Sequence, residues 1–117
     1  LLDHLPKDSV RIATEKVKWD PEYQRKHRIK WAKAELPDDI QARLVKTSKR
    51  VYRNLNLSGY ARLDYRLSGS GELYLLEANP NPNIAKEDEF AVSAKEIGID
   101  YSKLLDRILR LGMRRLL

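Results

Sequence analysis

Residues 59–83, GYARLDYRLSGSGELYLLEANPNPN, decide the fold. The first run alternates. Tyr60, Arg62, Asp64 and Arg66 point one way, and Ala61, Leu63, Tyr65 and Leu67 the other, which is the period of a strand. Ser68-Gly69-Ser70-Gly71 supplies the reversal, because Gly and Ser accept the dihedrals that a turn demands. The second run, ELYLLEAN, ends at Pro80-Asn81-Pro82-Asn83, where proline has no N–H to continue a ladder. The stretch therefore predicts a β-hairpin.

The register follows from the turn. If Leu67 pairs with Glu72, Arg62 faces Glu77 and Asp64 faces Leu75. Even residues of the first strand then share a face with odd residues of the second, which gathers Arg62, Asp64, Glu77 and Asn79. A one-residue bulge in the turn would break this arrangement. Two carboxylates, an amide oxygen and an arginine suit Mg²⁺ and phosphate: the ion takes oxygen ligands, and a guanidinium fork matches a phosphoryl group. The same four residues also suit an ordinary half-exposed hairpin laced with cross-strand ion pairs.

The segment RLDYR, followed by a strand ending LLEANPNP, resembles the metal-binding end of the ATP-grasp superfamily, and within it the D-alanine–D-alanine ligase branch. That branch has an Arg-x-Asp strand, a short turn, and Leu-Glu-x-Asn before a proline-containing loop. The resemblance runs from about Glu15 to the last helix. It implies that residues 1–117 are the C-terminal segment of an ATP-grasp domain, with the upstream part absent. It also implies an ATP-dependent carboxylate–amine ligase acting through an acyl phosphate, with this segment inactive by itself. By the family's pattern Glu77 bridges two Mg²⁺ (or Mn²⁺) ions, Asp64 completes one site and Asn79 the other. Arg62 is the catalytic cation, and the partners are ATP, a small carboxylate and an amine. The family's phosphate-contacting lysine precedes an aromatic residue. Lys18, before Trp19, is similar to that position, with Lys16 as its rival.

One departure from the family stands in the loop after Asn79. Counted without gaps from Glu77, the family's glycine becomes Asn83, and its His-Ser-Leu becomes Glu87, Asp88 and Glu89. The family's serine and its neighbouring backbone hold the carboxylate of the second amino acid. The corresponding substrate positions here are Asn83 and Asp88. Three acids at this place repel an incoming carboxylate, so the expected nucleophile is a neutral or cationic amine and the product is not D-alanyl-D-alanine. Glu87 and Asp88 also have a plain role, complementing a helix N-terminus.

Outward from the hairpin, the chain reads as helices. Asp20-Pro21 marks a turn or helix start, and Tyr23, His27 and Trp31 fall at helical spacing in a charged connector. Leu36-Pro37-Asp38-Asp39 opens a longer helix with a stripe of Ile40, Leu44, Val51, Tyr52 and Leu55, read as packing behind the hairpin. A further helix starts near Glu87 with Phe90, Ala91, Ala94 and Ile97 inward and Gly98 at its end. Asp100 caps the last one, whose apolar set is Leu104, Leu105, Ile108, Leu109 and Met113. The predicted class is α+β, a small antiparallel sheet with helices on one side.

Composition bounds the function. The chain has 117 residues, 42% apolar, no cysteine and a formal charge of +6. Disulfides and thiolate metal sites are excluded. No apolar run is long enough to span a bilayer, and a cytoplasmic protein is expected. There is no GxxxxGK(S/T), GxSxG or HExxH, which removes the P-loop, the serine-hydrolase elbow and the zincin helix. Two other readings stay open beside the ligase. One is a non-catalytic scaffold module that keeps the fold. The other is a basic nucleic-acid-binding module, disfavoured because ATP is itself an anion and many lysines and arginines simply solvate a face.

Overall fold

The computed structural model describes residues 20–26 and 33–114. Two units make up the chain, Leu1–Ala34 and Glu35–Leu117. In the first, Asp20 starts a short helix, α1 (Pro21–Lys26). Its Oδ1 accepts from the backbone N–H groups of Glu22 (3.0 Å) and Tyr23 (2.9 Å), and Pro21 takes the first helical position, where no N–H is needed. Lys16, Lys18, His27 and Trp31 lie outside the described residues.

The second unit runs α2 (Asp38–Asn54), β1 (Arg62–Leu67), β2 (Leu73–Asn79), α3 (Glu89–Glu96) and α4 (Tyr101–Met113). The predicted α+β class holds: helices surround one two-stranded antiparallel sheet. Asp38 and Asp39 occupy the first turn of α2, where acids complement the positive helix end. Pro37 is one step earlier than expected, as the cap residue, and its carbonyl accepts from Gln41 N at 2.9 Å.

Helices α2 and α3 stop by the same device. After α2, Asn56 takes φ +50°, and the N–H groups of Asn56 and Leu57 donate to the carbonyls of Arg53 and Tyr52. After α3, Gly98 takes φ +80°, with Gly98 N on Lys95 O and Ile99 N on Ala94 O. Both are Schellman motifs, which close the last carbonyls and bring the residue after the left-handed one back onto the helix. This corrects one expectation. Ile97 is 67% exposed, while Ile99 is the residue folded inward onto Ala91, Ala94 and Leu104. On α4 only Leu104 and Ile108 of the expected set face this cluster; Leu105, Leu109 and Met113 are exposed.

Helix α2 lies against the face of the hairpin that carries Ala61, Leu63 and Tyr65. Ser48 Oγ donates to Tyr65 Oη at 3.1 Å, and a groove between them is lined by Ser48, Tyr52, Ala61 and Leu63. Arg43 Nη1 donates to Gly71 O at 3.2 Å, fixing the hairpin tip to the same helix. Among the described residues, no helix is long and apolar enough to cross a membrane.

The register departs from expectation twice, and the two departures cancel. Leu67 pairs with Leu73, so the turn is one residue longer on the second strand than the sequence suggests. That alone would send Glu77 and Asn79 to the face opposite Arg62 and Asp64. A bulge then intervenes between the Tyr65↔Leu75 and Asp64↔Glu77 pairs, leaving Leu76 without a partner. Beyond it, the face is restored: Asp64 pairs with Glu77 and Arg62 with Asn79, and directly opposite residues share a face.

Candidate active site at the open end of the hairpin

The site is built on paired strands just before the chain leaves the sheet. Arg62 is its centre. Its Nε and Nη2 donate to Asp64 Oδ1 and Oδ2 at 2.9 and 3.0 Å, a two-point fork. Residues two apart on a strand lie on one face, which is why this pair can close. Nη2 is 3.8 Å from Glu77 Oε1. The remaining arm, Nη1, reaches the first residue of α3: Glu89 Oε2 lies 2.9 Å away. Arg62 thus gathers three carboxylates while its side chain is 25% exposed.

Electrostatics follow from that count. Burial, the largest single influence, lowers the Arg62 pKa. The hydrogen bond and charge of Asp64, then the charges of Glu89 and Glu77, together outweigh it, and the guanidinium is held above its ordinary range. With one cation and three anions, the cluster keeps a formal surplus of negative charge.

Asn79 and the loop behind it are ordered by a chain of local bonds. Asn79 Oδ1 accepts from Asn81 N at 2.9 Å, and Asn81 Oδ1 accepts from Tyr60 Oη at 3.1 Å. Pro82, between them and α3, is fully buried. The Tyr60 ring also meets Phe90 of α3, centroids 5.5 Å apart. This contact holds the start of α3 near the open end of the sheet, and so places Glu89.

The predicted residues fall into three groups. Arg62, Asp64 and Glu77 come together, with Asn79 opposite Arg62 in the ladder. Asn83 is exposed and turned to its own loop, its Oδ1 accepting from Ala85 N at 3.0 Å. Asp88 is the cap residue of α3, yet its side chain makes no cap hydrogen bond. Lys18 lies outside the described residues. Sequence reasoning counted Glu89 only as one of three acids at a helix start. Its pairing with Arg62, 27 positions away, leaves no local signal in the sequence.

The donor set fits a hard cation. Two carboxylates and an amide oxygen share one face, and a positive group already lies among the carboxylates. Among the described residues no three of His, Cys, Asp and Glu cluster as a self-sufficient metal site. Mg²⁺ does not require one, since one or two carboxylates plus substrate phosphates commonly hold it.

Comparison with known proteins shows the family. The family described as D-ala D-ala ligase C-terminus matches residues 3–110. A D-alanine–D-alanine ligase of Nitratidesulfovibrio vulgaris is 38% identical over 80 residues, covering 68% of this chain and 26% of its own length. One from Bacillus anthracis is 34% identical over 110 residues, covering 94% of this chain and 36% of its own. The crystal structure of the Bacillus anthracis enzyme complexed with ATP superposes with a TM-score of 0.64 at 36% identity, over 69% of this chain and 28% of that one. The chain thus spans about a quarter to a third of the length of these relatives. With the family's pattern matched across nearly all of its residues and its fold matched by a solved ligase, the chain belongs to the D-Ala–D-Ala ligase C-terminal family of the ATP-grasp superfamily.

Proposed function

We propose that the protein is an ATP-dependent carboxylate–amine ligase. ATP phosphorylates a substrate carboxylate, and an amine attacks the acyl phosphate to give an amide and phosphate. The observation that carries this reading is the meeting of Arg62, Asp64 and Glu77 on one face at the open end of the hairpin. Glu77, Asp64 and Asn79 would hold the cations, which would supply charge neutralisation at phosphate oxygens. Arg62 acts on the transferring phosphoryl group and on the anionic tetrahedral centre that follows, where a fixed guanidinium is most effective in a partly dry site. By the family resemblance Lys18, with Lys16 as its rival, would contact ATP phosphate.

The nucleophile is a neutral or cationic amine. Asn83 and Asp88 occupy the loop that faces it in the family's arrangement. The Asp88 carboxylate makes no cap hydrogen bond at the helix start, beside the exposed Glu87. A carboxylate-bearing nucleophile meets repulsion there, and an ammonium group attraction. The test is an ATP-hydrolysis screen of the full-length protein with D-alanine, other amino acids, amino-acid amides and polyamines. Amides or polyamines should stimulate phosphate release. Robust D-alanine-dependent turnover, with D-alanyl-D-alanine identified by mass spectrometry, overturns the choice of nucleophile. The absence of Mg-ATP-dependent phosphate release with every amine overturns the ligase reading and favours a scaffold.

A further inference from the structure

The donors of Arg62 divide between two elements, and that division has a use. Nε and Nη2 go to Asp64, with Glu77 nearby; both acids belong to the sheet. Nη1 goes to Glu89 on α3. In the reading above, on which this inference rests, Asp64 and Glu77 are ligands of cations. The acids nearest Arg62 are then the ones it must share. Only Glu89 is reserved for it.

We infer that Glu89 is a positioning residue for Arg62: it holds the Nη1 edge from the helix side, so that the guanidinium stays oriented when Asp64 is taken up by a cation. Three observations support the assignment. The contact is a 2.9 Å ion pair, close enough for a charge-assisted interaction. Its helix is fixed on two sides, by Phe90 against Tyr60 and by Ala91 and Ala94 in the cluster with Leu104, so the carboxylate is not on a loose arm. Arg62 is only 25% exposed, so the cation side of the pair is partly sheltered, while Glu89 at 36% stays open to solvent screening. An acid at a helix start would complement the helix dipole in any rotamer. Reaching across to a strand 27 positions away is an additional act.

The pairing also qualifies the acids of the substrate loop. Glu89 has its charge matched by Arg62, so the repulsion toward an incoming anion comes from Glu87 and Asp88. Glu89 acts on the reaction through Arg62.

The experiment is ¹⁵N NMR of the arginine-labelled full-length protein, with kinetics alongside. In the parent protein the Arg62 Nη signals should be resolved, reporting slow rotation of the guanidinium, and should stay resolved on adding MgCl₂ and ATP. In Glu89→Ala they should merge on the same addition. Glu89→Gln, which keeps the shape, should behave likewise to a lesser degree and decides the matter if the alanine variant fails to fold. Glu89→Asp should restore part of the resolution. In Mg-ATP-dependent phosphate release, Glu89→Ala should lower kcat by about 10–100-fold, the scale typical of residues that orient a reactive group, with KM for ATP little changed. Signals that remain resolved in Glu89→Ala, or a loss confined to KM, overturn the inference. Arg62→Ala separates this from its premise. If Arg62→Ala is inactive while Glu89→Ala retains full kcat, only the positioning role fails; if Arg62→Ala is itself active, the ligase assignment of Arg62 fails.

Discussion

Arg62 and the acids around it are unequal partners, and the inequality predicts what each substitution does. Glu77 is half-exposed and 3.8 Å from Arg62. An ion pair of that kind contributes at most about 1 kcal/mol to folding. Glu77→Gln should therefore leave the circular dichroism spectrum and thermal midpoint nearly unchanged. It should still lower Mg-ATP-dependent phosphate release by more than about 100-fold, since it removes a ligand charge rather than a neighbour of one. Near-normal turnover in a folded Glu77→Gln protein is the result that would refute the metal role. Asp64→Asn should act in the same direction and recover in part at raised Mg²⁺. It should also destabilise more than Glu77→Gln, because it breaks the two-point fork with Arg62.

At the scale of elements, the helix ends offer the cleanest tests. Gly98 has φ +80°, and a Cβ added there meets nothing within 4 Å. The penalty of Gly98→Ala is then backbone strain alone, about 1 kcal/mol, read as a fall in the urea midpoint at unchanged slope. Asp100 caps α4, accepting from Lys103 N at 2.9 Å and pairing with Lys103 Nζ at 2.9 Å. The backbone hydrogen bond from Lys103 is the largest cause that lowers its pKa. A carboxyl with a lowered folded-state pKa stabilises above its unfolded value, about 3.9. That contribution is lost as pH falls through the folded-state value. Asp100→Asn should accordingly be less stable than the parent at neutral pH, and the two acid-unfolding curves should converge at the acid end. A constant gap across the whole titration would assign the effect to the cap's shape instead of its charge.

Whole-molecule properties were the least legible. The hairpin, the cap at Asp100 and the stop at Gly98 could be read from local sequence, because each depends on near neighbours; the shared face of Arg62, Asp64 and Glu77 came out as expected only because the longer turn and the bulge at Leu76 cancel. Inward and outward faces of α3 and α4 were read less well. Periodicity marks Ile97 and Leu109 as core, but the Schellman turn brings Ile99 inward and leaves Ile97 exposed, and Leu109 on α4 is exposed as well. The Arg62–Glu89 pair was invisible for a different reason, since it depends on how α3 docks. Among the described residues, the buried set is small: Ile40, Ala91, Ala94, Leu104 and Pro82, while Tyr74, Leu75 and Leu76 of β2 stay exposed. A two-stranded sheet is marginal by itself in water, and the chain spans only about a quarter to a third of the length of the relatives it matches. Calorimetry of the 117-residue chain should therefore show no saturable ATP binding in the micromolar range. Tight, magnesium-dependent binding to these residues alone would place the nucleotide site elsewhere than proposed.

The unpaired Leu76 has a consequence for anyone who wishes to edit the protein. Because the ladder changes step at that residue, the tip of the hairpin and its base obey separate registers. The tip is set by Ser68, whose N–H and Oγ bond to Glu72, and by Arg43; the base is set by Asp64↔Glu77 and Arg62↔Asn79. Gly69 and Ser70, both exposed, lie between the tip's own fastenings. A reporter peptide spliced between them should alter the tip and leave the base as it is, which cross-strand NOEs between Asp64 and Glu77 can follow. The far end of this sheet is a port through which a label can be attached without touching the end where the chemistry is proposed.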